Sequence, residues 1–202
     1  MSARPSRRTA ATAPRSATPA KAVAAVHQRV KGSYAVVALI AGHGLLAFRD
    51  PFGIRPLCYG EGESPEGRTV MVASESVALE GTGHKLVRDV APGEALFIDL
   101  EGRVHTQQCA EHPSLNPCMF EYVYLARPDS VIDGVSVYQA RLNMGETLAQ
   151  RLISTIRPSE IDVVIPIPES SRPSAMPMKN RPPGRSCVST RSTTATLVGG
   201  SK

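Results

Sequence analysis

The sequence predicts an α+β protein in which short antiparallel strands precede a helix and a buried strand. Residues 33–108 contain short β-rich runs separated by Gly, Pro or Asp, which is typical of antiparallel hairpins. Residues 136–155 have apolar residues at helical spacing, and Pro158 ends that pattern. The run VVIPIP, which starts at Val163, is the unbroken apolar type that forms a buried strand.

The first part of this fold is predicted to be a short helix followed by hairpins. AKAVAAVHQRV places Val23, Val26 and Val30 on one helical face, and Gly32 ends the helix. SYAVVALIAG and LLAFRD form a hairpin around Gly42-His43-Gly44, and Glu101-Gly102 turns a second one. Further short strands are predicted in PLCYGE, TVMVASES, EALFIDL and RVHTQQC, with a short helix in SESVALEGTG.

The second part is predicted to be one helix and the first strand of a parallel β/α unit. The apolar stripe of the helix is imperfect and consists of Val137, Ala140, Leu142, Met144, Leu148 and Leu152. Small, helix-compatible residues follow the loop after the Val163 strand. Beyond Ala175 the sequence has no periodicity, and we expect no sheet there.

The charges are distributed unevenly along the 202 residues, whose net charge is +5. Eight basic and no acidic residues precede Asp50, six basic and no acidic residues lie between Arg172 and Lys202, and all 18 acidic residues lie between these ends. We expect residues 1–20 to be a disordered or misread basic tail, with a transit peptide or a nucleic-acid-binding arm as alternatives.

The cysteines indicate reduced thiols in a cytoplasmic protein. Cys58, Cys109, Cys118 and Cys187 form no CxxC pair and have no His at a spacing that suits zinc. The longest apolar run, AVVALIAG, is too short to span a membrane.

Four segments contain side chains that could bind a ligand or take part in catalysis, although each segment has a simpler structural interpretation. Pro168–Arg172 combines hydroxyls with a helix start and suits an anion, or it is an ordinary N-cap. RDPFGIRPL is a turn that ion pairs hold rigid and that scaffolds a hairpin. SESVAL forms a helix cap, and ARPDS is a turn between two regions. We assign no catalytic residue, and none of the five His is a candidate.

In this order, RDPFGIRPL, VASESVAL, RDVAPGEA, NPCMFEYVYLARPDS and VVIPIPESS resemble the glutamine phosphoribosylpyrophosphate amidotransferase family. The resemblance extends from about Lys21 to about Met176. It implies a partial glutaminase of the N-terminal-nucleophile fold, which has antiparallel β layers with helices, in residues 21–125. Residues 126–176 would then be the linker and the start of an α/β phosphoribosyltransferase domain.

The resemblance also implies a reaction and its requirements. The family converts glutamine, phosphoribosyl pyrophosphate and water to phosphoribosylamine, glutamate and pyrophosphate, which is the first step of purine synthesis. Ser170 matches a hydroxyl position at the pyrophosphate and Mg²⁺ site. Cys118 matches a ligand of the iron–sulfur cluster in some members, but its surroundings resemble the cluster-free branch, so we expect no cluster. The family forms homo-oligomers and needs no membrane or nucleic acid.

The departures from the family pattern predict that this chain alone is inactive. The family nucleophile is an N-terminal cysteine, whereas this sequence starts Met1-Ser2-Ala3 and has its first cysteine at Cys58. The matched region also lacks the acidic ribose-binding loop. We therefore expect an internal fragment, with residues 177–202 disordered and out of frame. The alternatives are a non-catalytic, basic-tailed binding protein and a glutaminase-domain relative such as asparagine synthetase.

Overall fold

The structure, a computed structural model, describes residues 19–65, 67–157, 163–166, 173–174 and 195–198. Its helices are α1 (Pro19–Arg29), α2 (Ser76–Glu80) and α3 (Val137–Ile153), and Glu121–Leu125 form one π-helical turn, here called the π-turn. The first seven strands are β1 (Ala35–Ile40), β2 (Gly44–Arg49), β3 (Cys58–Ser64), β4 (Gly67–Ala73), β5 (Lys85–Asp89), β6 (Glu94–Asp99) and β7 (Val104–Gln108). They are followed by β8 (Val131–Ile132), β9 (Val135–Ser136), β10 (Val163–Pro166) and β11 (Ala195–Val198).

Two antiparallel sheets form the centre of the fold. The first has the strand order β1-β2-β6-β7 and the second has the order β4-β3-β5. Because side chains alternate across a strand, β2 and β6 each present one apolar face to α1 and the other to the second sheet. α2 lies on the outer face of the second sheet, where a Cβ at Gly60 would meet Leu79. The layers are therefore α1, first sheet, second sheet and α2.

Two apolar clusters hold these layers together. The cluster between the sheets is formed by Ala47, Leu57, Tyr59, Val90, Leu96 and Ile98. The cluster under α1 is formed by Val23, Leu46, Phe48 and Ala95. His27 extends this second cluster, because its Nε2 donates to the carbonyl of Gly93 (3.2 Å) and its Nδ1 accepts from the Tyr34 hydroxyl (2.8 Å). Burial lowers the pKa of His27, which fits this neutral, structural role.

The predicted α+β class, α1 and the two hairpins are confirmed, and one strand was missed. α1 buries Val23, but Val30 lies just past its end and is 46% exposed. β5 was not predicted, since three of its five residues (Lys85, Arg88 and Asp89) are charged. Its hydrogen bonding to β3 holds it as a strand, although its own composition does not indicate one. In the described part of the chain, no helix has the length and apolarity that a membrane span requires.

The second region packs the π-turn and the β8–β9 hairpin against α3. Tyr122, Ala126, Ile132 and Val137 form its core. The buried stripe of α3 is Val137, Arg141, Gly145 and Ala149, whereas Leu148 of the predicted stripe is 46% exposed. A Cβ at Gly145 would overlap the carbonyl oxygen of Ser174, so close backbone packing requires the glycine.

The last strands differ from the prediction for this part of the sequence. β10 lies in the predicted strand, but it pairs antiparallel with β11, where we expected a parallel unit and a disordered tail over residues 177–202. Thr196, Leu197 and Val198 have the β-branched and apolar composition that favours a strand. The rest of that tail and residues 1–18 lie outside the described residues.

We predict that Leu96→Ala destabilises the fold by about 2–5 kcal/mol, because it removes a large side chain from the core between the sheets. Leu96 is 0% exposed. The free energy of unfolding from denaturant titration measures the effect. Leu100→Ala is the matched control, since Leu100 is 68% exposed, and we expect it to change stability by less than about 0.5 kcal/mol. Equal losses in the two variants would contradict the two-layer core.

Candidate functional site

The segment RDPFGIRPL folds around the carboxylate of Asp50. Asp50 is fully buried and accepts hydrogen bonds from the backbone N–H groups of Phe52 (3.0 Å), Ile54 (3.1 Å) and Arg55 (3.1 Å). Gly53 has a φ of 58°, and a Cβ there would lie 2.9 Å from Pro92, so this turn requires glycine. Asp50 therefore fixes the turn through main-chain donors and not through an ion pair within it.

Arg49 links this turn to the β8–β9 hairpin through a buried ion pair. Its two Nη atoms donate to the two carboxylate oxygens of Asp133 at 2.7 and 2.9 Å. Its other donors reach the carbonyls of Arg55 (2.6 Å), Val90 (2.9 Å) and Gly53 (2.7 Å), so all five N–H groups are used. Burial acts to lower the pKa of Arg49, but the hydrogen bonds and charge of Asp133 outweigh it and raise the pKa.

A second carboxylate, Asp89, lies close to this pair and forms no ion pair with the described residues. Burial raises the pKa of Asp89, and the negative charge of Asp133 raises it further. The charge of Arg49 acts in the opposite direction but is already engaged by Asp133. The neighbourhood of Arg49 thus carries more negative than positive charge.

A second ion pair joins the turn to the π-turn. The Arg55 guanidinium donates to the carboxylate of Glu121, whose side chain is 7% exposed. Burial raises the pKa of Glu121, and Arg55 limits that rise. Both arginines of the RDPFGIRPL turn are therefore paired with the second region, whereas we predicted ion pairs that hold the turn itself.

The start of α2 makes a third connection, which corrects the predicted helix cap. Glu75 is at the N-cap position but makes no side-chain cap hydrogen bond. Its carboxylate instead accepts from the backbone N–H of Arg127 (2.8 Å) and the hydroxyl of Ser130 (2.7 Å). The Ser76 hydroxyl accepts from the N–H of Val131 (2.9 Å). The side chains of Glu75 and Ser76 therefore bind the ARPDS turn and the residue after it, and not the first turn of their own helix.

Arg141 fixes the end of the π-turn from inside α3. It is 2% exposed and donates to the carbonyls of Tyr122 (2.7 Å) and Ala126 (2.7 Å). Burial lowers the pKa of Arg141, and the nearby charge of Glu75 offsets part of that effect. The hydroxyl of Ser174 donates to the Arg141 carbonyl (2.9 Å), which links α3 to the segment after β10.

We call these residues together the motif junction: Arg49, Asp50, Arg55, Glu75, Ser76, Glu121, Ser130, Asp133 and Arg141. Its charged side chains are hydrogen-bonded to each other or to the main chain, and most are buried. Such groups hold segments in place and do not offer a base or nucleophile to a substrate. Chemically, the motif junction is a rigid connection between the two regions.

Cys58 and Cys109 do not supply a reactive thiol. Cys58 is buried, its Sγ donates to the carbonyl of Ala73 (3.4 Å), and burial raises its pKa to about 12. Burial also raises the pKa of Cys109. Because the thiolate is the nucleophile, neither residue suits glutamine hydrolysis. Cys118 is half-buried, and within the described residues no group of three His, Cys, Asp or Glu side chains could hold a metal.

The other residue carried over from the resemblance cannot be placed. Ser170, the predicted pyrophosphate and Mg²⁺ residue, lies outside the described residues, as does Cys187. Glu121, Asp133 and Arg141 were not predicted as site residues. Glu121 and Asp133 are charged residues in the mainly apolar segments FEYVYL and VIDGV, and that signal could have marked them as buried and paired, whereas the mixed segment around Arg141 gives no such signal.

Comparisons with known proteins identify the family. A glutamine amidotransferase domain family matches residues 9–81. The amidophosphoribosyltransferase of Pseudomonas aeruginosa is 54% identical over 160 residues, which are 79% of this chain and 32% of that protein. The Escherichia coli amidophosphoribosyltransferase is 57% identical over 151 residues, covering 74% and 30%. The chain belongs to the amidophosphoribosyltransferase family.

Solved structures of this family have the same fold. The glutamine phosphoribosylpyrophosphate amidotransferase of Bacillus subtilis, complexed with ADP and GMP, aligns with a TM-score of 0.68 at 33% identity. A structure described as the allosteric regulatory enzyme of purine biosynthesis aligns with a TM-score of 0.69 at 33% identity. These alignments cover 82% of this chain and 34% and 33% of the solved chains. The chain therefore spans about a third of an amidophosphoribosyltransferase.

We predict that Asp133→Asn lowers the free energy of unfolding by about 3 kcal/mol, because it removes the charged partner to which the buried Arg49 guanidinium donates two hydrogen bonds. Asn is nearly isosteric and tolerates the φ of 49° at this position. Denaturant titration measures the loss. Asp129→Asn is the control, since Asp129 pairs with Arg127 at the surface and its replacement should cost less than about 1 kcal/mol. Two equal effects would contradict a buried pair.

Asp89 gives a prediction for the dependence of stability on pH. Its pKa is raised in the folded state, so its ionisation opposes folding above that pKa, and the penalty disappears as the pH falls towards the unfolded value of about 3.9. We predict that Asp89→Asn is more stable than the wild type at neutral pH and that the difference shrinks on acidification. Thermal unfolding at several pH values measures it.

Glu94→Gln is the contrasting variant. Although burial acts to raise the pKa of Glu94, its bonds with Arg88 and Ala91 lower it overall. Its ionised form therefore stabilises the fold above the unfolded pKa, and that contribution is lost as the pH falls through the folded pKa. Glu94→Gln should be less stable than the wild type at neutral pH. A result of the same sign for both variants would contradict these environments.

Proposed function

We propose that this chain forms the part of an amidophosphoribosyltransferase that joins the glutaminase domain to the phosphoribosyltransferase domain. The reaction of the complete enzyme is the transfer of nitrogen from glutamine to phosphoribosyl pyrophosphate, which opens purine synthesis. The observation that supports this proposal is the motif junction. Three of the five sequence segments that carry the resemblance, RDPFGIRPL, VASESVAL and NPCMFEYVYLARPDS, come together there through hydrogen bonds and ion pairs.

This part of the enzyme would hold the two domains in a fixed position relative to each other. Arg49, Arg55 and Glu75 lie in the two-sheet region. Their partners Asp133 and Ser130 lie in the linker that leads to α3 and β10, and Glu121 lies in the π-turn just before that linker. Three separate links of this kind prevent rotation of one region about another, since a single link would act as a pivot. Catalysis that passes an intermediate between two sites requires such a fixed geometry, because small displacements of reacting groups are costly.

The substrates, metal and location follow from the family. Glutamine and phosphoribosyl pyrophosphate would be the substrates of the complete enzyme, acting in the cytoplasm as a homo-oligomer. Ser170 would contribute its hydroxyl near the pyrophosphate, and Mg²⁺ bound there would neutralise the phosphate charge. We propose no iron–sulfur cluster for this chain.

We further propose that the 202-residue chain alone does not turn over glutamine. Cys58 and Cys109 are the wrong thiols for the reaction, because their raised pKa values keep them protonated. Incubation with glutamine and phosphoribosyl pyrophosphate should release no glutamate and no pyrophosphate above the enzyme-free control. Release of either product by the purified chain would contradict this proposal.

A chimera tests the positive part of the proposal. The matched 151 residues would replace their counterpart in the Escherichia coli enzyme, with which they are 57% identical. We expect the chimera to restore growth without purines to a strain that lacks amidophosphoribosyltransferase. The same chimera with Asp133→Asn should lose most glutamine-dependent activity, and the Asp129→Asn chimera should keep it. A folded, soluble chimera without activity would contradict the proposed function.

A further inference from the structure

His27 is a half-buried titratable residue of α1 that lies beside the RDPFGIRPL turn. Its Nε2 donates to the carbonyl of Gly93 (3.2 Å), and its Nδ1 accepts from the Tyr34 hydroxyl (2.8 Å). The rings of Tyr34 and Phe48 also contact the imidazole, each with its centroid 5.9 Å away. Residues of three different segments therefore hold this one side chain.

Both hydrogen-bond partners of His27 are attached to Asp50, the residue that fixes the turn. The N–H of Gly93 donates to the Asp50 carbonyl (2.9 Å), and the N–H of Asp50 donates to the Tyr34 carbonyl (2.9 Å). The N–H of Tyr34 also lies 3.4 Å from a carboxylate oxygen of Asp50. His27 thus attaches α1 to the turn through two residues that Asp50 itself holds.

These partners suit the neutral imidazole. The Gly93 carbonyl can only accept, so the hydrogen is on Nε2, and Nδ1 has the lone pair that the Tyr34 hydroxyl needs. A proton on Nδ1 would face that hydroxyl hydrogen and force it to turn away. Burial lowers the pKa of His27, although the Gly93 carbonyl and the charge of Asp50 act in the opposite direction.

We propose that His27 is a pH-sensitive contact, which holds α1 on the RDPFGIRPL turn while the imidazole is neutral and releases it when the imidazole is protonated. The same ring lines a cavity of about 480 Å³ between α1, Pro51-Phe52 and residues 109–112, where the cation can be hydrated. Glu111 at this cavity and Asp50 in the turn favour a cation, whereas Lys31 opposes one. Titratable side chains that line the cavity with His27 are Lys31, Cys109, Glu111 and His112.

The direction of the pH effect follows from the lowered pKa of His27 in the folded chain. The unfolded chain binds a proton at this residue below about pH 6.5, whereas the folded contact resists that proton. The stability that the contact provides is therefore complete above about pH 6.5. It is lost as the pH falls from that value towards the lower folded pKa.

NMR spectroscopy of the wild-type chain tests the contact directly. We expect the ring of His27 to be the Nε2–H tautomer at neutral pH and to titrate below the ordinary histidine value of about 6.5. The amide protons of α1 should exchange faster as that titration proceeds, because the helix loses an attachment to the turn. Titration of His27 at or above about pH 6.5 would overturn the proposal.

His27→Gln provides a second test, because glutamine can donate to the Gly93 carbonyl but does not titrate. The thermal unfolding midpoint of the wild type should fall between about pH 7 and pH 5.5, and His27→Gln should remove about half of that fall or more. His43→Gln is the matched control, since His43 is exposed in the turn between β1 and β2, and it should keep the wild-type dependence. The same pH dependence in His27→Gln as in the wild type would also contradict a pH-sensitive contact.

Discussion

The buried pair between Arg49 and Asp133 is the constraint on which the arrangement of this chain depends. It joins residues 84 positions apart, and each carboxylate oxygen of Asp133 meets a different nitrogen of the guanidinium. A buried ion pair adds little net stability, because desolvation offsets the attraction, but either partner alone in the interior is costly. The pair therefore selects one geometry over others. The pair ties the RDPFGIRPL turn, whose conformation Asp50 fixes, to the position of the β8–β9 hairpin.

The remaining links act mainly on the main chain. Glu75 and Ser76 accept from backbone N–H groups of the segment 127–131, and Arg141 donates to two carbonyls at the π-turn. A π-helical turn is a rare element, and Arg141 supplies side-chain donors to the carbonyl of Tyr122 within it and of Ala126 just after it. Contacts of this type fix the path of the backbone rather than the identity of a neighbouring side chain. They suit a structural joint better than a binding site.

Parts of the fold that are held by contacts between nearby residues could be predicted from the sequence, and parts held by contacts between distant residues could not. The hairpins around Gly42–Gly44 and Glu101-Gly102 were predictable because alternation and turn residues lie within a few positions of each other. β5 was not, since its charged residues contradict strand composition and only β3 makes it a strand. The links of Arg49, Arg55, Glu75 and Ser76 across the motif junction were missed because they join residues 52 to 84 positions apart. Glu75 was interpreted as a helix cap for the same reason. Its carboxylate accepts hydrogen bonds from Arg127 and Ser130, which are more than 50 positions away in the sequence.

The two sheets differ in size, and among the described strands β1 has a partner on one side alone. Four strands in the first sheet face three in the second, so β1 extends past the cover that the second sheet provides. The alternation that packs Val36 and Ile40 under α1 necessarily turns Val37 and Leu39 to the side that is not covered. Substituting polar residues at Val37 and Leu39 would leave the α1 contact intact, so the exposed apolar row is not a by-product of packing α1. It is a property of these two positions.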